Sequence, residues 1–581
     1  MHSGLVAAAL LALLAPASAS ALASPGVDLL LINGDIKTAS GWARAMAVDR
    51  GVIVAVGDSA AVSALAGAKS RVIDLAGRTV LPGLTDSHVH PLYAGREQFE
   101  CGFPQGASGP AVASAVRACA GRAAPGEWIL GGNWVAAAFK PGEQTKALLD
   151  AAAPANPVLL NDEAHHSVWV NSRALALAGI LRTTPNPAGG IIEHTASGEP
   201  NGLLRESAAR LAEHAVPRES EAARRRAIAL ASNQMLSFGI TAYTVASVRL
   251  DDIGPLSQLV DQGLIRQRVR GCIVWGPGPE DGNTMGETLI PRRAEFSRPR
   301  LRFDCVKVFL DGVPTESHTG AMLEPYVDAA AGASAERPAK GLLLIPPDVL
   351  ARAVTRFDAE GLSVKFHAAG DAAVRAGLDA VAAARAANGY GGQIHTIAHG
   401  TFVDPADIAR ARPLDVAWEF SPYIWYPTPI ASKDILAAVG AERMKRWVPV
   451  REAIATGALV VAGSDWSIVP SVNPWLAIET LVTREKPGGG AETLGEAERI
   501  SLDDAFRLFT LNPARLTGES DRVGQIAVGM HADVIVTDIN PFKVDIHTVH
   551  ATRVERVFID GQEVFDAAAP PPLTAAAMPR L

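Results

Sequence analysis

The sequence predicts an α/β chain: a (β/α)8 TIM barrel with a small β-sandwich domain built from both chain ends and a long insertion after barrel strand 1. Three observations lead there. Through the middle of the chain, short apolar runs alternate with helical segments, the pattern of parallel βα units. Eight runs stand out, at Leu84–His90, Ile240–Ala246, Val269–Val274, Cys305–Leu310, Val364–Ala368, Thr396–His399, Val416–Phe420 and Val460–Ser464, the number a closed barrel needs. The two flanks read differently, as hairpins.

On the N-terminal flank the β-like runs are Asp28–Gly34, Ala45–Val48, Gly51–Gly57, Val72–Leu75 and Thr79–Leu81, separated by turn residues such as Asn33-Gly34 and Gly57-Asp58. Similar runs return at Asp533–Thr537 and Val554–Gly561. Residues 24–82 and 518–566 are therefore assigned to the composite β-sandwich, and 83–517 to the barrel. The first two barrel strands lie too far apart for one connecting helix. The stretch from about 92 to 231 is thus an insertion, holding Trp128–Trp134, Val158–Asn161 and the Pro/Gly-rich Thr183–Gly202. Insertions after a barrel strand sit at the catalytic face and form substrate walls. Residues 567–581, rich in Ala and Pro, are expected to be a disordered tail.

Composition narrows the function. Of 581 residues, 48% are hydrophobic, enough for a large core, and the net charge is −8 with no basic run. A phosphate-tracking protein needs a basic face, so nucleic acid is not the expected partner; a small molecule is. A homo-oligomer is open. The four cysteines, Cys101, Cys119, Cys272 and Cys305, have no CxxC spacing. A Cys101–Cys119 disulfide is open in an oxidising compartment, but packed thiols are the expectation for four separated cysteines in a large domain.

The first residues have an export signature. An unbroken apolar run from Leu5 to Leu14 precedes the small-residue stretch Ala17–Ala23, with A-x-A-type sites after Ala19, Ala21 and Ala23. The stretch Met1–Gly4 lacks the usual Lys or Arg. The run is shorter than the roughly 20 residues of a membrane span, and no later segment qualifies. A signal peptide over 1–23 and a periplasmic or secreted location are expected.

The sharpest motif is Pro82-Gly83-Leu84-Thr85-Asp86-Ser87-His88-Val89-His90. Alternate strand residues share a side, so His88 and His90 point together into one space. An HxH pair alone is weak evidence. It gains weight from other strand ends: His367 closes the fifth run, His399 the sixth, and Asp465 follows the eighth. Ligand-type residues at the C-terminal edges of four apolar strands stand where a barrel builds its site.

Through these motifs the sequence resembles the amidohydrolase superfamily, and within it amidohydrolase family 3, which includes N-substituted formamide deformylases. The likeness covers the HxH entry, the insertion motif Asn161–Asn171, the late helix Asp504–Leu511 with Asn512-Pro513-Ala514, and the return Gly524–Asp533. It implies one residue that spacing does not find, Lys307 in the fourth run. An ammonium has no lone pair for a metal. The resemblance implies that CO2 carboxylates Lys307, and that the carbamate bridges two Zn2+ ions. One ion would be held by His88, His90 and Asp465, the other by His367 and His399. A plain lysine paired with Asp311 or Asp465 stays open.

The chemistry implied is hydrolysis of a C–N bond (amide, N-acyl, N-formyl or cyclic amide) by a metal-bound hydroxide, with Asp465 as the catalytic base. His165, His166, His318, Tyr326, Trp134 and Trp425 are the candidate substrate contacts, and Gly370-Asp371 is expected to orient His367. Three alternatives remain: a mononuclear deaminase, an esterase or lactonase on the same centre, and an exported regulatory or binding protein without catalysis.

Overall fold

The computed structural model describes residues 26–569 except 105, 141, 164, 188, 277–284, 316, 328–338, 422–425, 429 and 470. The expected leader 1–23 and residues 570–581 of the expected tail lie outside that range, as does Trp425.

Eight parallel strands form one sheet in strict sequence order: Leu84–Val89, Ile240–Val248, Arg268–Trp275, Leu301–Phe309, Ser363–Ala368, His395–His399, Val416–Phe420 and Val460–Ala462. All eight expected runs are barrel strands. They are called here the first to eighth. The barrel is nearly closed, and the seam is joined at its C-terminal end. There the Asp465 N–H donates to the His88 carbonyl at 2.8 Å and the His90 N–H to the Trp466 carbonyl at 2.6 Å. Gly463 permits this approach, since a Cβ there would lie 2.4 Å from the Cβ of His88.

Helices such as Glu221–Ser237, Pro347–Ala359 and Asp371–Asn388 cover the outside. The core between helices and strands includes Ile228, Val354, Phe357, Leu378 and Val381. At roughly 1.5–3 kcal/mol for each fully buried large apolar side chain, this layer dominates the stability of the barrel. The expected late helix is divided into Leu502–Arg507 and Leu511–Leu516. The reason is local: the carbonyls of Leu508 and Phe509 accept instead from Ala462 and Thr85, on barrel strands eight and one.

Two further sheets lie outside the barrel sheet. One has four strands, in the order Val52–Gly57, Ala45–Asp49, Leu29–Ile32, Arg71–Asp74. The other has six and joins both chain ends: Gln562–Asp566, Val554–Ile559, Val534–Thr537, Thr79–Pro82, Asp35–Thr38, Gly41–Ala43. Leu31 and Met46 of the first share a buried cluster with Val80, Val534 and Phe558 of the second. A single residue, Gly83, separates the strand Thr79–Pro82 from the first barrel strand. A Cβ at Gly83 would fall 2.2 Å from Thr241 Oγ1 of the second strand, so the close crossing requires glycine.

Between barrel strands one and two the chain builds a six-stranded sheet spanning Cys101–Glu206, with its own apolar clusters. Helix Glu221–Ser237 then returns to pack against Pro91–Glu97. All four cysteines are paired, Cys101 with Cys119 in the insertion and Cys272 with Cys305 between barrel strands three and four. The expectation of packed thiols is corrected. Register explains the second pair, because Cys272 and Cys305 are direct cross-strand neighbours. Among the described residues no helix is long and apolar enough to cross a membrane.

Candidate metal centre

Strand alternation puts Asp86, His88 and His90 on one face of the first strand, and the barrel turns that face inward. His88 Nε2 and His90 Nε2 lie 3.4 and 3.3 Å from Asp465 Oδ1, at the end of the eighth strand. These three side chains can each offer one ligand atom, all within 4.8 Å of one another. Lys307 Nζ, on the fourth strand, is 3.4 Å from His88 Nε2. His399 Nδ1 is 3.7 Å from Asp465 Oδ2, and the His399 ring sits 4.4 Å from that of His367 and 4.9 Å from that of His88. All six residues expected from the sequence thus meet at one mouth of the barrel. His399 and Asp465 reach it from left-handed backbone, φ 74° and 60°, a costly conformation for residues with a Cβ.

The surroundings hold these imidazoles neutral, with lone pairs available. Burial, with help from the Lys307 cation, pushes His88, His367 and His399 well below the usual histidine value. Burial also lowers His90, against the opposing pull of the Asp465 carboxylate. Burial, reinforced by Lys365, brings the Lys307 ammonium down to about 7. Among the described residues Lys307 forms no salt bridge, so the pairing with Asp311 or Asp465 that the sequence left open is not formed. The buried Nδ1 of His90 and Nε2 of His399 have no hydrogen-bond partner among the described residues. Neutral imidazoles, a carboxylate and orphaned buried nitrogens form a donor set that suits a divalent cation such as zinc.

Residues 71–565 match the family described as the amidohydrolase family, which is more than half of the chain. The chain belongs to the amidohydrolase family. That membership brings hydrolase chemistry and a divalent metal with it. The N-substituted formamide deformylase of Arthrobacter pascens is 26% identical over 554 residues, covering 92% of this chain and 97% of that protein. Protein LONG AFTER FAR-RED 3 of Arabidopsis thaliana is 28% identical over 552 residues, covering 93% and 91%. A solved but uncharacterized metal-dependent hydrolase from Pyrococcus horikoshii OT3 superposes with a TM-score of 0.69 at 22% identity, covering 89% of this chain and 99% of that one. At that identity the superposition shows the fold alone.

Beneath its ligand-type residues this amidohydrolase carries a buried polar layer that sequence reasoning missed. Glu419 Oε1 lies 2.6 Å from His88 Nδ1, which leaves Nε2 of that ring for the mouth. The other oxygen of Glu419 pairs with Lys365, whose Nζ also donates to the Ser87 carbonyl at 2.9 Å. Asp86 Oδ1 accepts from the backbone N–H groups of His88 and Ser464 at 3.0 and 2.9 Å, tying the first strand to the eighth. A signal existed for Glu419, the one ionisable residue in the otherwise apolar strand Val416–Phe420, whereas Asp86 and Lys365 share their strands with other polar residues.

The outer candidates divide. His166 lies over the His367 ring at 5.3 Å, whereas His165 turns to Glu97 at 3.3 Å. His318 stacks on Tyr326 at 4.7 Å, and the Tyr326 hydroxyl donates to the Gly320 carbonyl at 2.7 Å. Trp134 is a correction. It is fully buried in the insertion's core, its Nε1 donates to the Leu160 carbonyl at 3.0 Å, and its ring meets Phe139 edge-on. A large ring gains more from burial there than from an open pocket wall. Asp371 is a second. It accepts from the Leu323 N–H at 2.7 Å, while Asp311 lies nearer His367, at 3.7 Å, and holds the Ala369 and Gly370 N–H groups.

Proposed function

We propose that this amidohydrolase cleaves a C–N bond of a small molecule, in an amide, N-acyl, N-formyl or cyclic amide group, at a centre for two divalent cations. One observation carries the reading: His88 and His90 from the first strand meet Asp465 from the eighth within 3.3–3.4 Å, with Lys307 beside them. His88, His90 and Asp465 would hold one ion, His367 and His399 the other, and Lys307 would stand between. A bound divalent metal supplies Lewis acidity, which makes water more acidic and a carbonyl carbon more electrophilic.

The chain's own groups do the rest. A lysine amine in its neutral form can add CO2, forming an N–C bond and releasing one proton, and so becomes an anionic ligand. Burial of Lys307 favours the neutral amine that this addition starts from. The Asp465 carboxylate accepts a proton from the attacking water and passes it to the departing nitrogen. His88 stays oriented through Glu419. The likeness to a formamide deformylase supports N-formyl and N-acyl amines as first substrates.

A second reading has its own observation. His88, His90 and Asp465 alone form a compact three-ligand group. A single ion there, with Lys307 an unmodified amine, would suit a mononuclear deaminase. The apolar leader and the two disulfides support export into an oxidising compartment, which is part of the same proposal.

The test is a screen of the metal-loaded protein against N-acyl and N-formyl amines, cyclic amides and lactones, with metal counted per chain. Turnover of C–N substrates with near two ions per chain is expected. Turnover of lactones alone would overturn the bond assignment, and one ion per chain would favour the mononuclear centre.

A further inference from the structure

The insertion's His166 lies beside the metal centre, its ring 5.3 Å from that of His367, and is held from two directions. Its backbone N–H donates to Asp162 Oδ1 at 2.9 Å, and its carbonyl accepts from the Glu206 N–H at 2.7 Å. Its ring Nδ1 lies 2.9 Å from Glu206 Oε2. The second carboxylate oxygen, Oε1, accepts from the Thr319 hydroxyl, on the barrel loop after the fourth strand. Thr319 Oγ1 is fixed in turn by the Val313 N–H at 3.1 Å. A carboxylate from the insertion therefore bridges its own histidine and a barrel loop.

A second, independent feature belongs to the same arrangement. The Gly312 carbonyl lies 3.1 Å from His367 Nε2, so this residue orients a ligand-type ring. A Cβ on Gly312 would fall 2.3 Å from Glu206 Oε1 and 2.2 Å from Thr319 Oγ1. Room for the carboxylate exists only because residue 312 has no side chain. The His166 ring is 15% exposed, faces His367 and, among the described residues, has no partner at Nε2. A ring nitrogen anchored on one side and open on the other, beside the metal ligands, is arranged to meet a ligand rather than to brace the fold.

We infer that Glu206, with Thr319, is a positioning residue that holds His166 Nε2 ready to hydrogen-bond the substrate on the His367–His399 side of the centre. The inference rests on the hydrolase reading above and extends it to the insertion, which becomes part of the substrate site and not only its wall. A misplacement of about 1 Å in such a group can cost roughly 100-fold in rate.

The test uses the full-length zinc-loaded protein with 15N-labelled histidine. A hydrogen-bonded ring N–H resonance, assigned by its loss in His166→Phe, is expected in the wild type and absent in Glu206→Gln. In kinetics with the best C–N substrate of the screen, Glu206→Gln and Gly312→Ala should lower kcat/KM at least tenfold at unchanged zinc content, and Glu206→Asp should recover part of the loss. Zinc-replete Glu206→Gln with wild-type kcat/KM, or a wild type lacking the resonance, would overturn the inference and leave the hydrolase reading standing. A wild type that turns over nothing in the screen would sink the hydrolase reading, and this inference with it, even if the resonance is present.

Discussion

Glu419 Oε1 and His88 Nδ1 lie 2.6 Å apart, joining side chains 331 residues apart in sequence. The contact fixes which nitrogen of His88 faces the barrel mouth. Replacing Glu419 by Gln keeps the shape but removes the charge, and it leaves Lys365 without its anionic partner. Metal affinity should fall by about 10–100-fold, the usual effect of losing such a support. Competition titration with a chromogenic zinc chelator reads this directly, and unchanged affinity would remove Glu419 from the account.

Asp465 is predicted to separate binding from chemistry. Asp465→Asn retains an oxygen near His88 and His90 but cannot carry a proton. Turnover should drop by a factor of about 100 or more while metal content stays close to that of the wild type. Activity surviving at the wild-type level would dismiss it as the proton carrier.

A pH effect is expected far from the metal centre, where the barrel meets the six-stranded sheet that joins both chain ends. Asp560 accepts from Arg268 and Arg300, both at 2.5 Å, and its Oδ1 is 2.6 Å from His531 Nδ1. Burial alone would raise its carboxyl, but the two guanidinium groups and His531 outweigh burial and hold it below the ordinary 3.8. A depressed carboxylate contributes stability that is present above its unfolded value and is lost as pH falls through its folded one. Asp560→Asn should therefore destabilise by about 2 kcal/mol at pH 7. Urea midpoints compared at falling pH should show the gap to wild type narrowing below about pH 4; a constant gap would contradict the assignment.

The cysteine pairing is open to a direct count. Protein made in an oxidising compartment and unfolded without reductant should show no free thiol among Cys101, Cys119, Cys272 and Cys305. Cys272→Ser paired with Cys305→Ser should lower stability by about 2–4 kcal/mol, since the loop closed by that bridge is long. Two or more titratable thiols in the oxidised protein would refute the pairing.

Much of the site was legible in the chain itself. The pair His88 and His90 follows from period-two alternation, and His367, His399 and Asp465 from standing where apolar runs stop. Lys307 was not legible that way: inside Val306-Lys307-Val308 it reads as one charge in a buried strand, and only the family resemblance marked it. Trp134 misled for the opposite reason, because an aromatic residue in an insertion fits a pocket wall and a core equally well until its neighbours are known.

The sequence by itself determined the eight strands, their order and the face each presents, because alternation and turn chemistry act over a few residues. Only the tertiary structure decided which charged groups meet: Glu419 with His88, Glu206 with His166 and Thr319, Asp560 with Arg268 and Arg300. Those pairings are set by barrel closure and by the return of the insertion, and a chain's local pattern carries no record of which distant segment will lie across from it.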